Sequence, residues 1–317
     1  MIETIYKPGT LPHRILGKTG VSVSLICLGG WHIGSLESLE AIRLMHRAID
    51  EGIDFFDNAW DYHMGGSETV MGDALAMDGK RQKVFLMTKN CARDAVGTRQ
   101  HLEDSLRRLK TDCIDLWQFH ECNYDNDAEW LLERGALAEA IKAKKEGKVR
   151  FIGFTGHKSP DIHRSVLDIY PDWDCTQFPI NVCDHFYRSF EKKFLPVLRE
   201  RNIGAIGMKS LGGGAGVRGA EFTFNKICDP REARRYALSQ DIHSLVVGVD
   251  SEKILEQDLA IARDFKPMTE AEMNTLRQQV KAIAGDGRHE LFKSTTLHDG
   301  PYHREQHGLE KLVATLS

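Results

Sequence analysis

The sequence predicts an α/β fold: a (β/α)8 TIM barrel with an N-terminal β-hairpin and a C-terminal extra helix and tail. Three observations lead there. Short runs that are apolar at nearly every position alternate with amphipathic helical patterns about eight times along the 317 residues, and parallel strands covered by helices on both faces have that composition. No G-x-G-x-x-G follows the first such run, which argues against a doubly wound dinucleotide fold. The length suits one barrel, because barrels of roughly 250 residues and more fold as single units.

The elements follow in order. A hairpin is expected over 14-RILGKTGVSV-23 with GKTG as its turn, and the barrel over about 24–265. Its first strand is 25-LICLGG-30, followed by a helix with Leu39, Ile42, Met45 and Ile49 on one face and Gly52 at its end. Strand 53-IDFFDNA-59 precedes a helix over about Glu68 to Met77, and 84-VFLMT-88 precedes one marked by Leu102, Leu106 and Leu109. Strand 114-IDLWQFH-120 leads into a long helical segment ending near Gly147. After 150-RFIGFTG-156, Ser159-Pro160 opens a helix as N-cap and first-turn proline. Strands 174-DCTQF-178, 204-GAIGMK-209 and 244-SLVVG-248 complete the eight, with a capping box at Asp229-Pro230 and Glu232 and an N-cap at Ser251. A last helix starts at a second capping box, Thr269 with Glu272, and buries Met273, Leu276, Val280 and Ile283. The segment beyond it, 289-HELFKSTTLHDGPYHREQHG-308, reads as loop.

Composition excludes several classes. Hydrophobic residues at 41% and charged residues at 28% suit an ordinary globular core. A net charge of −4 without a basic block points away from nucleic acid and anionic membrane as partners. The start, MIETIYKPGT, does not read as a leader peptide, and no stretch has the roughly 18 apolar residues of a spanning helix. Seven cysteines stand singly without a CxxC pair, so a reduced, cytoplasmic setting is expected and no metal.

Barrel enzymes carry their chemistry at the C-terminal ends of the strands. Those ends read Gly30-Trp31-His32, Asp57 to Tyr62, Lys89, His120-Glu121, Thr155 to His157, Gln177, Met208-Lys209-Ser210 and Gly248 to Ser251. Each ionisable group has a bland reading: an Asp after a strand caps a turn, a lone Lys is solvated, a lone His bonds in the core. Ionisable groups on three consecutive strand ends, with a tyrosine in the second loop, make a constellation.

With these residues the chain resembles the aldo-keto reductase superfamily from about Arg14 to about Ile283. The matching motifs are 55-FFDNAWDYHMGGSE-68, 86-LMTK-89 and 114-IDLWQFH-120. The resemblance implies a catalytic tetrad of Asp57, Tyr62, Lys89 and His120, and a nicotinamide-dependent oxidoreductase acting on a small-molecule carbonyl or alcohol. The chemistry is coherent. A phenol with a pKa near ~10 is a poor acid–base group at neutral pH, and a nearby ammonium brings that value down, so Lys89 is expected to tune Tyr62. Asp57 keeps Lys89 charged, and His120 donates to the substrate oxygen. Trp31 and Trp60 would wall the substrate beside Tyr62, His120 and Glu121; for Trp60, barrel-mouth packing is an equal reading. Asp61 has no tetrad role and is either a solvated loop acid or a contact for a hydroxyl-rich substrate.

The resemblance also implies the cofactor, NADP(H) or NAD(H), with Gly30, Trp31 and Asp57 on its near side. Gln177 matches the residue that holds the carboxamide. The family's Ser-Asn after strand five is here 155-TGH-157, which passes that contact across Gly156 to Thr155 or His157. The loop after strand seven, which covers the pyrophosphate in the family, supplies Met208, Lys209, Ser210, Leu211, Gly212 and Gly214. Beyond Gly248 and Asp250 the family's two phosphate-gripping cations become Ser251 and Ile254, and its adenine pair becomes Gln257 and Asp258. Losing cations beside acids disfavours a 2′-phosphate, although Lys253 or an arginine of 231-REARR-235 would compensate. The tail histidines His298, His303 and His307 are expected in solvent, since the GPYH turn argues against a metal-binding helix. The alternative is a tail folded over the barrel mouth. Two rival functions remain: a Schiff-base lyase using Lys89 as nucleophile, and a nucleotide-binding regulatory subunit.

Overall fold

The computed structural model describes residues 2–213 and 221–310. A hairpin of β1 (His13–Ile15) and β2 (Ser22–Ser24) pairs antiparallel with Arg14 opposite Val23, so the expected turn over 17–20 is met. Eight parallel strands then close on themselves. They are β3 (Ile26–Gly29), β4 (Phe55–Asp57), β5 (Phe85–Asn90), β6 (Ile114–Phe119), β7 (Val149–Thr155), β8 (Cys175–Pro179), β9 (Gly204–Met208) and β10 (Ser244–Gly248). Their order around the barrel is sequential, with β10 against β3.

Strand parity decides which side chains reach the site. Phe55, Phe85, Met87, Leu116, Cys175 and Ile206 pack together inside the barrel, over Leu16 and Val23 of the hairpin. Side chains along a strand alternate faces, so the next inward position on each strand, at the C-terminal end, is Asp57, Lys89, Gln118, Gln177 or Met208. The mouth residues are thus the continuation of the interior column. The hairpin closes the opposite end. Gly17 (φ +50°) lies where a Cβ would come within 2.4 Å of Gly204 N, and Lys18 N–H donates to Asn202 O at 2.7 Å.

The helices bury the outer faces of the strands. They include α1 (Gly30–Ile33), α2 (Ser38–Asp50), α3 (Gly66–Leu75), α4 (Ala95–Arg108), α5 (Asp127–Glu133), α6 (Ala136–Lys145), α7 (Pro160–Asp168), α8 (Phe190–Lys193), α9 (Leu195–Glu200), α10 (Glu221–Phe224), α11 (Pro230–Leu238) and α12 (Glu252–Arg263). The caps fall where the sequence places them: Ser159 and Ser251 accept from backbone N–H groups, and both capping boxes are complete. On α2 the buried face is Ala41, Leu44, Met45, Ala48 and Ile49, and Leu39 points to solvent instead. The second residue of the helix, it lies off the stripe formed by those buried residues.

The tail departs from expectation. After α13 (Glu270–Val280), the segment read as loop contains α14 (Leu291–Ser294) and α15 (Pro301–Gln306). Gly300 caps α15 with Pro301 at its first position, so the GPYH sequence begins a helix rather than excluding one. Phe292, Lys293, Asp299 and His303 are buried. The tail lies over the mouth and its core histidine is not in solvent.

His13 ties the hairpin to the barrel. Its Nε2 lies 2.9 Å from Asp54 Oδ2, and Asp54 Oδ1 accepts from Ser24 N–H at 2.7 Å. The bond to Asp54 raises the His13 pKa. A raised folded value contributes stability below the unfolded value of about 6.5 and loses it as pH rises through the folded value. His13→Asn should therefore lower the unfolding temperature more at pH about 5.5 than at about 8.5. An equal loss at both would mean the pair acts as a neutral hydrogen bond.

Candidate active site

Lys89 lies at the centre of the mouth with 1% exposure. Its ammonium donates to Asp57 Oδ1 at 2.5 Å, to Asn58 O at 2.7 Å and to Tyr62 Oη at 3.5 Å. Three N–H bonds meet three acceptors, all from one segment, β4 and the loop after it. Burial raises the Asp57 pKa against the pull of Lys89.

That loop is held in an unusual conformation. Trp60 N–H donates to Lys89 O and Tyr62 N–H to Ala59 O, which turns the chain back under Lys89. His63 and Met64 then adopt left-handed backbone (φ 52° and 55°), followed by Gly65 at φ 89°. Non-glycine residues in that region are strained and persist where the surroundings fix them. At Gly65 a Cβ would stand 2.3 Å from the Arg108 guanidinium, and Arg108 needs that space to reach Trp60 O and Glu68 Oε2. Buried Glu68 also accepts from Thr88 and Ser105. The Gly-Ser-Glu of the motif is thus the clamp that holds the Tyr62 loop against β5 and α4.

The surroundings of Tyr62 differ from expectation. Burial, then the negative charges of Asp57, Asp61 and Glu121, push its pKa well above the ordinary phenol value, the direction opposite to that expected from Lys89 alone. One ammonium does not outweigh three carboxyl groups at a desolvated hydroxyl. The phenol keeps its proton, and its oxygen faces the Lys89 donor, leaving that proton to be given elsewhere. Trp31, half exposed, meets the Tyr62 ring edge-on at 5.2 Å and forms a wall.

Trp60 does not. Its indole stacks on His101 at 3.5 Å, lies under Arg108 and aims Nε1 at Asp104. The packing reading holds for it. Asp61 is not a solvated acid either: its side chain is 13% exposed, with Oδ1 3.1 Å from His120 Nδ1. Burial opposes its charge, but His120 and His303 outweigh burial and hold its carboxyl well below the usual range. His120 itself is shifted down by burial, partly offset by Asp61, and so is neutral near pH 7. Glu121 turns to the tail, accepting from Gly300 N–H at 2.8 Å, and burial with Asp61 and Asp299 pushes its pKa up to about 8.

On the far side of the mouth the groups are less committed. Thr155 Oγ1, at the end of β7, is buried and without a partner among the described residues, as is His157 Nδ1. Gln177 Oε1 accepts from Gln118 Nε2 at 3.1 Å. Lys209 (φ 58°) ends β9, and burial lowers its pKa, with Glu121 opposing. Gly30 and Gly248 are tight: a Cβ would meet Asp57 O at 2.7 Å and the His32 ring at 2.2 Å, respectively. Met208 is buried, Leu211 packs toward α11, Gly212 faces Phe222, and Gly156 abuts Cys122 O. Gly214 lies outside the described residues. Asp250 is exposed, and Gln257 is half-buried. Ser251 caps α12.

Comparison with known proteins fits this geometry. The sequence profile of the Aldo/keto reductase family matches residues 25–235. The chain belongs to that family. Among its relatives, the aldo-keto reductase YhdN of Bacillus subtilis is 31% identical over 237 residues, 68% of this chain and 67% of that one. The L-galactose dehydrogenase of Arabidopsis thaliana is 26% identical over 311 residues, 85% of this chain and 95% of that one. The aldo-keto reductase AKR11C1 of Bacillus halodurans, solved in its holo form, superposes with a TM-score of 0.69 at 22% identity over 84% of this chain and 95% of that one. Its fold is the same barrel, and the family makes this aldo/keto reductase an oxidoreductase.

Against the family pattern, Asp258 stands out. Arg234 binds both its carboxylate oxygens, at 3.0 and 3.1 Å, and reaches Ser210 Oγ at 2.6 Å. All three are buried. Asp258 and Ser210 are therefore engaged as the joint between α11, α12 and the β9 loop, and the expected adenine contact by Asp258 gives way to that joint. Removing one partner of a buried pair costs about 3–5 kcal/mol, so Asp258→Asn should destabilise this aldo/keto reductase by an amount of that order in urea unfolding. A variant of unchanged stability with weakened dinucleotide binding would restore the adenine role.

Proposed function

We propose that the chain interconverts a carbonyl, in an aldehyde, ketone or sugar, and the corresponding alcohol, with Tyr62 as general acid in reduction and general base in oxidation. The observation that carries this is the Lys89 ammonium, whose three hydrogens are directed to Asp57, Asn58 O and the Tyr62 oxygen. A lysine so engaged has no lone pair to offer a carbonyl, which counts against the lyase reading. It does present a hydrogen-bond donor to the phenol oxygen at the moment that oxygen gives up its proton.

A bound NAD(H) or NADP(H) would supply or accept the hydride. The residues at the mouth suit such a group: the unpartnered Thr155 Oγ1 and the Gln177 amide would serve a carboxamide, and Lys209 a phosphate anion. In reduction Tyr62 holds a proton beside the substrate oxygen, Trp31 screens it from water, and the His120 imidazole lies next to it, ring centres 5.5 Å apart. Lys89 and Asp57 fix the phenol and keep the local charge balanced.

The choice of cofactor follows from which cations are spent. Arg231 pairs with Asp264, Arg234 with Asp258 and Arg235 with Glu272. The helix expected to compensate for the missing phosphate grip therefore has its guanidinium groups bound to carboxylates, which leaves exposed Lys253 as the compensating cation named above and supports NAD(H) as the better ligand. Fluorescence titration should show NADH binding more tightly than NADPH, and tighter NADPH binding would refute that order. With the preferred cofactor and a panel of aldehydes, ketones and aldoses, Tyr62→Phe should retain cofactor affinity and lose turnover by at least about 100-fold. Turnover near wild type in that variant would remove Tyr62 from the mechanism. Aldoses enter the panel because of the relative named for L-galactose. A wild-type chain that binds the dinucleotide and turns over nothing would favour the regulatory-subunit reading.

A further inference from the structure

Four side chains from four separate segments converge beside the tetrad: Asp61 in the loop after β4, Cys91 just past β5, His120 just past β6, and His303 on α15. One potential ligand atom from each lies within 4.8 Å of all the others. His120 Nδ1 is 3.1 Å from Asp61 Oδ1 and 3.6 Å from Cys91 Sγ. His303 is wholly buried, and neither of its ring nitrogens has a hydrogen-bond partner among the described residues. Buried polar atoms are nearly always satisfied, so an imidazole bare at both nitrogens and facing a carboxylate, a thiol and a second imidazole marks the place of something that bonds to all four.

We propose that this cluster is a tetrahedral binding site for a divalent zinc-class ion, with Asp61, Cys91, His120 Nδ1 and His303 as its ligands. The spacings fit. Metal–sulfur bonds of about 2.3 Å and metal–nitrogen bonds of about 2.0–2.1 Å at a tetrahedral angle put sulfur and nitrogen about 3.6 Å apart. With metal–oxygen bonds of about 2.0–2.2 Å, nitrogen and oxygen fall about 3.3–3.5 Å apart. The donor set of one thiolate, two imidazoles and one carboxylate is mixed soft and borderline, which suits zinc over calcium or magnesium. Binding displaces the Cys91 proton, and the two anionic ligands then balance the dication. The ion would pin α15 to the barrel mouth and fix the orientation of His120. The site rests on the geometry of the four groups and is independent of the reductase reading.

The test measures metal, not turnover, so its failure and that of the proposed reaction are separate. The purified full chain is loaded with Zn2+, freed of excess by gel filtration and analysed by mass spectrometry. About one ion per chain should remain, and Cys91→Ser and His303→Ala should each weaken its retention by at least about tenfold. Co2+ in place of Zn2+ should give the intense visible bands of a tetrahedral site and a thiolate-to-metal charge-transfer band, and Cys91→Ser should abolish the latter. No retained ion in the wild type, or retention and spectra unchanged in both variants, would overturn the proposal. If a variant does not fold, the wild-type cobalt spectrum decides alone: a charge-transfer band supports the site and its absence refutes it.

Discussion

The Lys89–Asp57 pair, an ammonium buried beneath the mouth of a closed barrel, is the constraint on which the rest of the site depends. An unpaired charge at that depth would be untenable, and removing one partner of such a pair costs about 3–5 kcal/mol. The pair exists because β4 and β5 are parallel neighbours with Asp57 opposite Met87, which sets Lys89 one inward position further along. Asp57 takes one ammonium hydrogen, and the other two need acceptors from somewhere. The loop after β4 supplies them by folding back over Lys89 with Asn58 O and the Tyr62 hydroxyl. The strained backbone at His63 and Met64 and the buried Glu68–Arg108 clamp follow from that turn.

The tail imposes the second set of demands. Lys293, fully buried, binds Asp184 at 2.5 Å and Glu290 at 2.9 Å. Lys158 pairs with Asp299 at 2.9 Å, and the Tyr124 hydroxyl donates to the same carboxylate. Buried ion pairs contribute little net stability but tolerate few alternative arrangements, so they set the register in which α14 and α15 lie on the barrel. With the mouth covered, the groups beneath it lose water. That is why Glu121 is pushed up to about 8 and why the Tyr62 phenol is raised above its ordinary value.

Local chemistry was legible in the sequence, and long-range chemistry was not. Strand runs, N-caps and capping boxes depend on neighbours within a few residues, and they fall where expected. Asp57 and Lys89 are legible because the strand period puts them at inward terminal positions, and Tyr62, in the loop beyond, through the motif that carries the family resemblance. Asp258 and the tail histidines depart from expectation, and the two readings of Trp60 stay open in the sequence, for a common reason: each is decided by a partner far along the chain. Trp60 is fixed by His101 and Asp104, Asp258 by Arg234, and His303 by a barrel mouth nearly two hundred positions away in sequence. Seven scattered cysteines carry no spacing signal, yet the barrel brings Cys91 to two histidines from different segments. A spacing rule recognises ligands that share a local motif, and here the closed sheet does the gathering.

Asp61 ties these layers together through the tautomer of His120. A neutral imidazole has one N–H, and the bond made by one nitrogen decides what the other offers. A proton on Nδ1, 3.1 Å from the Asp61 carboxylate, would leave the remaining nitrogen an acceptor. An acceptor cannot donate to a substrate oxygen, which is the role the family resemblance gives His120. An ion bound at Nδ1 reverses this: it takes the Nδ1 lone pair, moves the proton to Nε2 and turns that nitrogen into a donor. Asp61 would then be a ligand rather than a hydrogen-bond acceptor, and its charge would be neutralised at the distance from Tyr62 where it now raises the phenol. Asp61, Cys91 and His120, the three residues clustered with His303, would thus set both the direction of the His120 hydrogen bond and how readily Tyr62 parts with its proton.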